Sequence, residues 1–275
     1  MRNSGPKTMT LATATFTAVL VVISISGAGQ SPGTGERELP APVPFKGHSS
    51  WVTSIAVSPD GDVVATGGGE TLTIRPGQAN FFDPDKNNRL GGFNPHSSTV
   101  WAVAISPDGE TLATAGTDKL VKLWRTSLGG KMKLVGTLAG HKNWITSISF
   151  SPDGKKLASA SEDTTVNIWD LQTGKPAGTL AGHTGTVRAV TYSPDGKWIA
   201  TGSFDKTVRI WDSATYKEKS KLEAHADAVW AVKFSPAGDS IATAGADNKI
   251  RLWSVAVEND SFKAQQKHSW KAHKN

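Results

Sequence analysis

Between residues 186 and 192 apolar and polar side chains alternate, a break falls at Pro194-Asp195-Gly196, the pattern resumes over 198–203, breaks again at Asp205-Lys206 and returns over 208–211. Alternation with a period of two over runs this short predicts β-strands buried on one face, and the breaks carry the Pro, Asp and Gly that tight turns use. A weaker fourth strand is expected over 217–222.

The unit recurs. Histidines at 48, 96, 141, 183 and 225 each open a similar block, and the offsets inside the blocks agree. Four residues on stands a β-branched residue: Val52, Val100, Ile145, Val187 or Val229. Eleven on stands a proline: Pro59, Pro107, Pro152, Pro194 or Pro236. Each follows a serine, as in Ser106-Pro107-Asp108-Gly109. Twenty-two on stands an acid: Glu70, Asp118, Asp163, Asp205 or Asp247. Twenty-eight on, in the last four blocks, stands Trp124, Trp169, Trp211 or Trp253. Self-similarity at this period means one small sheet copied in tandem, which buries its faces only by stacking on its copies.

With Gly140-His141 followed by Trp169-Asp170, and Gly182-His183 followed by Trp211-Asp212, the blocks resemble the WD-repeat family. The resemblance covers residues 43–275 and implies an all-β fold, a WD-repeat β-propeller of four-stranded sheets around a central channel. Five repeats are recognisable, beginning near residues 48, 96, 141, 183 and 225, the first of them degenerate. The resemblance also implies a hydrogen-bonded structural tetrad in each regular block. The matching positions are His96, Thr114, Asp118 and Trp124; His141, Ser159, Asp163 and Trp169; His183, Thr201, Asp205 and Trp211; and His225, Thr243, Asp247 and Trp253. A catalytic triad is built once per site and not once per repeat, so these Ser-His-Asp sets do not point to a hydrolase. The chain is read as non-enzymatic, with no catalytic residue, no metal and no cofactor. Six of the seven histidines occupy the repeat position, which leaves only His268 as a spare ligand.

By the same resemblance, side chains beside the β-branched residue point to one rim of the channel, as does the residue before the turn acid. These are Trp51, Trp101, Trp144, Arg188 and Trp230, joined by Glu162 and Phe204. Tryptophan and arginine dominate the energetic centres of interfaces, so this set is the candidate partner-binding surface. The alternative is that the indoles fill gaps between sheets. Trp198 and Trp270 are read as packing residues.

The first block departs from the pattern, with Glu70 in place of Asp and Pro76 in place of Trp. Its third strand fits residues 71–75 only with a one-residue slip, and 78–92 reads as a polar insertion. Asp83, Asp85 and Asn87 there lack the Gly and the acid that a calcium loop needs further on, so a solvated loop is expected. Propellers of this family usually close with about seven blades. The last residues, Ala272-His273-Lys274-Asn275, are similar to 139–143, as if a sixth repeat began and was cut off. An incomplete ring would expose sheet faces and favour self-association. A truncated remnant of a longer WD-repeat protein is the alternative.

Composition narrows the function. A hydrophobic fraction of 37% over 275 residues supports a packed core. The absence of cysteine removes disulfides, thiolate metal sites and thiol nucleophiles. The net charge of +6 comes from lysines spread along the chain, which does not suit a nucleic-acid groove. Arg2 and Lys7 precede an uncharged stretch that is apolar over 16–25 and ends in Ser26-Gly27-Ala28. Residues 1–28 therefore read as a secretory signal peptide, with a retained N-terminal anchor as the alternative, and 29–42 as a Pro/Gly-rich linker. Either way the propeller at 43–275 is expected outside the cytoplasm, in contact with a membrane only if the leader stays as an anchor. The function expected is an exported, non-catalytic scaffold presenting an aromatic face to a protein or peptide. Small-ligand binding or catalysis in the central channel is the alternative, and it would need acids, histidines or hydroxyls clustered outside the repeat positions.

Overall fold

The computed structural model describes residues 47–48, 50–70, 75–125, 131–258 and 261–272. The segments expected as leader (1–28) and linker (29–42) and the final residues from His273 lie outside them. Blade 1 holds β1 (Val52–Val57), β2 (Val64–Gly68), β3 (Gly77–Asp83) and β4 (Asn88–His96). Blade 2 holds β5 (Val100–Ile105), β6 (Thr111–Gly116), β7 (Leu120–Arg125) and β8 (Lys133–Ala139). Blade 3 holds β9 (Ile145–Phe150), β10 (Lys156–Ser161), β11 (Thr165–Asp170) and β12 (Lys175–Ala181). Blade 4 holds β13 (Val187–Tyr192), β14 (Trp198–Ser203), β15 (Val208–Asp212) and β16 (Glu218–Leu222), and blade 5 holds β17 (Val229–Phe234), β18 (Ser240–Gly245), β19 (Lys249–Glu258) and β20 (Ser261–Lys271). Every sheet is an antiparallel meander with its strands neighbouring in chain order.

The first turn of each blade is built by its Ser-Pro motif. In blade 3 the Gly154 amide donates to the Ser151 carbonyl at 2.9 Å, with Gly154 at φ 69°, a left-handed conformation that glycine adopts without strain. Ser151 Oγ accepts from the Lys156 amide at 2.9 Å and donates to Asp153 at 2.6 Å, which closes the loop. Blade 5 has Ala237 where the others have Asp, and Ser235 Oγ turns instead to Asp239 at 2.7 Å.

Neighbouring blades meet through a repeated pair of faces. The inner strand β5 packs on β1 and β2, β9 on β5 and β6, β13 on β9 and β10, and β17 on β13 and β14. At the joint of blades 2 and 3, the small Ala102, Ala113 and Ala115 with Val121 receive Ile145, Ile148, Phe150 and Trp169. Small residues on one side let the large ones approach closely: a Cβ on Gly67 would stand 2.8 Å from Val100. Polar atoms on these faces bond across the joint. Ser147 Oγ and Ser149 Oγ accept from the Val190 and Tyr192 amides, both at 3.3 Å, and Ser54 Oγ accepts from the Val103 amide at 3.1 Å.

Blade 1 differs from the sequence expectation. Its third strand is Gly77–Asp83 rather than 71–75, of which Thr71 to Ile74 lie outside the described residues, and 78–92 is no insertion but the arms of the β3–β4 hairpin. Phe82 pairs with Val64 as Trp124 pairs with Leu112 and Trp169 with Leu157. Phe82, 1% exposed, therefore holds the tryptophan column that the offset assigned to Pro76. A longer connection between β2 and β3 displaces the column along the chain. Asp83 ends β3, accepts from the Asp85 and Lys86 amides at 3.1 and 2.9 Å, and pairs with Lys86 at 2.9 Å, so its carboxylate serves a hairpin turn. Trp270 also differs: in register with Ile250 on the outer strand of the last blade, it is 50% exposed, whereas Leu138 and Leu180 in its column are buried. Trp198 is buried, edge-on to Phe262 at 5.3 Å.

Candidate interaction surface and the clasps beneath it

Each regular blade ties its strands with one chain of hydrogen bonds. In blade 4 the Trp211 indole donates to Thr201 Oγ1 at 2.9 Å, that hydroxyl faces His183 Nε2 at 2.7 Å, and His183 Nδ1 faces Asp205 at 2.8 Å. An indole can only donate and a carboxylate only accept, so a single proton arrangement satisfies every link: hydroxyl to Nε2 and Nδ1–H to Asp205. The distances repeat in blade 2 for His96 (2.8 Å to Thr114, 2.7 Å to Asp118) and in blade 3 for His141 (2.8 Å to Ser159, 2.8 Å to Asp163). They repeat again for His225 (2.8 Å to Thr243, 2.8 Å to Asp247). Trp124, Trp169 and Trp253 close those sets at 2.9, 2.8 and 3.0 Å.

The carboxylate has further work in the turn it occupies. Asp205 accepts from the Thr184 amide at 3.1 Å and from the Thr207 amide and hydroxyl at 3.0 and 2.7 Å. Burial pushes the Asp205 carboxyl up, but the Thr207 and His183 hydrogen bonds, with the imidazole charge and the Thr207 amide, outweigh it and hold the group at about 2. Asp163 and Asp247 are likewise held below the usual range, against burial, by their histidine and by Thr165 or Arg251 respectively. Burial lowers His183 and His225, against the pull of their carboxylates.

These shifts set the acid response. Unfolded histidine binds a proton near 6.5, whereas folded His183 and His225 resist it, so stability is full above that value and declines as pH falls below it. Asp205 releases its proton more readily folded than unfolded, so its contribution is present above 3.8 and lost as pH falls towards about 2. Thermal melts between pH 8 and 3 should show a plateau, a first decline below about 6.5 and a steeper one below about 4. A melting temperature that stays level from pH 7 to 3 would contradict the buried network.

Blade 1 keeps half of the clasp. His48 Nε2 lies 2.6 Å from Thr66 Oγ1, but its Nδ1 is buried with no hydrogen-bond partner among the described residues. Burial and the charge of Arg89 lower the His48 pKa. Asn80 and Arg89 supply a different tie: Arg89 donates to Asn80 Oδ1 at 2.8 and 3.1 Å, and Asn80 Nδ2 donates to the Gly47 carbonyl at 3.3 Å.

The clasps support the rim. Glu162 and Phe204 directly precede the clasp acids Asp163 and Asp205, and their amides donate to the Trp144 and Thr186 carbonyls at 3.0 and 2.9 Å. Above this frame four blades contribute to one row of rings. Trp101 and Trp144 stack with centroids 6.5 Å apart, and Phe204 meets Trp230 edge-on at 5.1 Å. Arg188 of blade 4 joins the two pairs, its guanidinium carbon 5.1 Å from the Trp101 ring and 5.5 Å from the Trp230 ring. It also donates to the Thr146 carbonyl at 3.0 Å. Glu162 is raised by burial and drawn back by the charge of Arg188. Trp51, at the start of β1, is 59% exposed, the most exposed indole among the described residues.

Sequence columns named these residues but not the reach of Arg188 across to blades 2 and 5. The signal was available only in part: in that column the other blades carry Thr53, Trp101, Thr146 and Trp230, so a lone arginine stood among them. Among the described residues no group of three His, Asp or Glu side chains is gathered to hold a metal ion.

Compared with known proteins, the chain matches the family model described as WD domain, G-beta repeat, at residues 42–75, 87–125, 132–170, 174–212 and 216–254. The match over 132–170 contains β8 of blade 2 and β9 to β11 of blade 3, so one sequence repeat straddles two blades. No curated protein matches the chain.

Proposed function

From the premise that the chain belongs to the WD-repeat family, whose domains are non-catalytic protein-interaction modules, we propose that it is an exported scaffold that captures a protein or peptide on its aromatic rim. The observation that carries this reading is the row Trp144–Trp101–Arg188–Trp230–Phe204, drawn from four blades. Rigid rings around a fixed cation offer large contact area at little entropic cost, which is the chemistry of an interface centre. A peptide fits it better than a channel substrate, because the row is apolar and cationic and carries a single carboxylate, Glu162. A protein partner is preferred to nucleic acid because the lysines are dispersed rather than gathered on this face. Export rests on the leader: Arg2 and Lys7, the apolar stretch over 16–25 and the small residues that follow.

The test uses full-length chain immobilised and exposed to the exported protein fraction of its own cells. A species retained by the wild type and by a Trp270→Ala control should bind at least about tenfold more weakly to the Trp101→Ala/Trp230→Ala variant, with all three proteins melting alike. Equal retention by the double variant rules out the rim. Unfolding of that variant would show instead that these rings are internal packing.

A further inference from the structure

The two end faces of the blade row are exposed halves of the joint that the chain builds four times inside itself. Val52 and Ile55 of β1 are 53% and 49% exposed, whereas their counterparts Val100 and Val103 are 0% and 5% exposed against the preceding blade. At the other end Ile250 is 38% exposed, whereas Val121, Val166 and Val208 in its column are buried under the next blade. Ala242 is exposed beside it, where Ala113, Ala158 and Ala200 are buried.

These halves match in detail. The inner strand of blade 5 reads Val229-Trp230-Ala231-Val232, identical to Val100-Trp101-Ala102-Val103 of blade 2, and both second strands contain Ala-Thr-Ala-Gly. Blade 1 opens with Trp51-Val52-Thr53-Ser54-Ile55, and blade 3, which covers blade 2, opens with Trp144-Ile145-Thr146-Ser147-Ile148. Laying blade 1 of another molecule on blade 5 therefore repeats the joint of blades 2 and 3 almost residue for residue. The Trp101–Trp144 stack of that joint has Trp230 and Trp51 as its counterparts.

Lys233 is the main departure, standing on blade 5 where blade 2 has Ala104. In the joint of blades 3 and 4 this column lies against the residue before the Ser-Pro turn, as Ser149 Oγ accepting from the Tyr192 amide shows. On blade 1 that turn carries Asp60 and Asp62, so the lysine finds opposite charge there.

We propose that a second copy of this chain is the occupant of these faces, docked head to tail with its blade 1 on blade 5 of the first. The contact is heterologous, using a different face from each molecule, so it leaves a free face at each end for further copies.

The test uses full-length chain and two single substitutions at exposed sites, Val52→Asp and Ile250→Asp, with folding checked by circular dichroism. Light scattering should give a mass that rises with concentration for the wild type, and a monomer for each variant, with association weakened at least about a hundredfold. Mixing the two variants should restore a dimer and nothing larger, because one intact front face then meets one intact back face. A wild type that stays monomeric at high concentration overturns the proposal, and so does an assembly that survives both substitutions or a mixture that stays monomeric.

Discussion

Truncating Trp169 to alanine is expected to destabilise the protein by about 3–5 kcal/mol, the largest single loss of any substitution considered for it. The indole is 1% exposed and lies in the cluster that joins blades 2 and 3, beside Leu157 and Ile148. Its removal leaves a cavity that cannot collapse, because the rigid sheets on both sides hold their spacing through their own ladders. The Trp169 indole also donates to Ser159 Oγ at 2.8 Å, but that hydroxyl keeps His141 as a partner, so packing rather than hydrogen bonding dominates the loss. Trp169→Phe should cost much less, since blade 1 fills the same column with Phe82. Denaturant unfolding of the two variants beside Trp270→Ala, expected within about 0.5 kcal/mol of wild type, checks the ranking. A loss below about 1 kcal/mol for Trp169→Ala would mean that the blades do not pack through this column.

The blades differed in how far their sequence disclosed them, and the reason is the same in each case: a column can be read only while its offset holds. Blades 2 to 5 keep the offsets from histidine to proline, acid and tryptophan, and in blade 4 the strands fall where alternation placed them. In blade 1 the longer β2–β3 connection moves the tryptophan column from Pro76 to Phe82 and changes its residue type, so neither spacing nor identity marks it. The rim was legible as a set of columns. Its contacts were not, because the approach of Arg188 to Trp101 and Trp230 depends on blade-to-blade geometry that no local pattern encodes. Exposure of the end faces was hidden for a related reason. Val52 and Ile55 satisfy the same pattern as the buried Val100 and Val103, and they differ only in lacking a neighbour.

Replacing His183 by alanine is expected to lower stability by about 1–3 kcal/mol and to cost more than the same change at His48. The Asp205 side chain is 7% exposed, so without the imidazole a nearly buried carboxylate loses a charge-assisted donor, and Thr201 Oγ1 loses its acceptor. The remaining amide and hydroxyl donors from Thr184 and Thr207 keep Asp205 from being orphaned, which bounds the loss. Among the described residues His48 has the Thr66 link and no acid, so its removal takes away one hydrogen bond there and relieves a buried unpaired nitrogen. The acid response moves with it. With His183 gone, Asp205 rises towards 3.8 and the stability it supplies above that pH shrinks. A double-mutant cycle of His183→Ala with Asp205→Ala should therefore give a coupling of about 1–2 kcal/mol at pH 7 that fades as pH falls towards 3. Strict additivity at pH 7 would show that the pair holds nothing together, and the rim turns beneath Phe204 and Glu162 would then owe their shape to the strands alone.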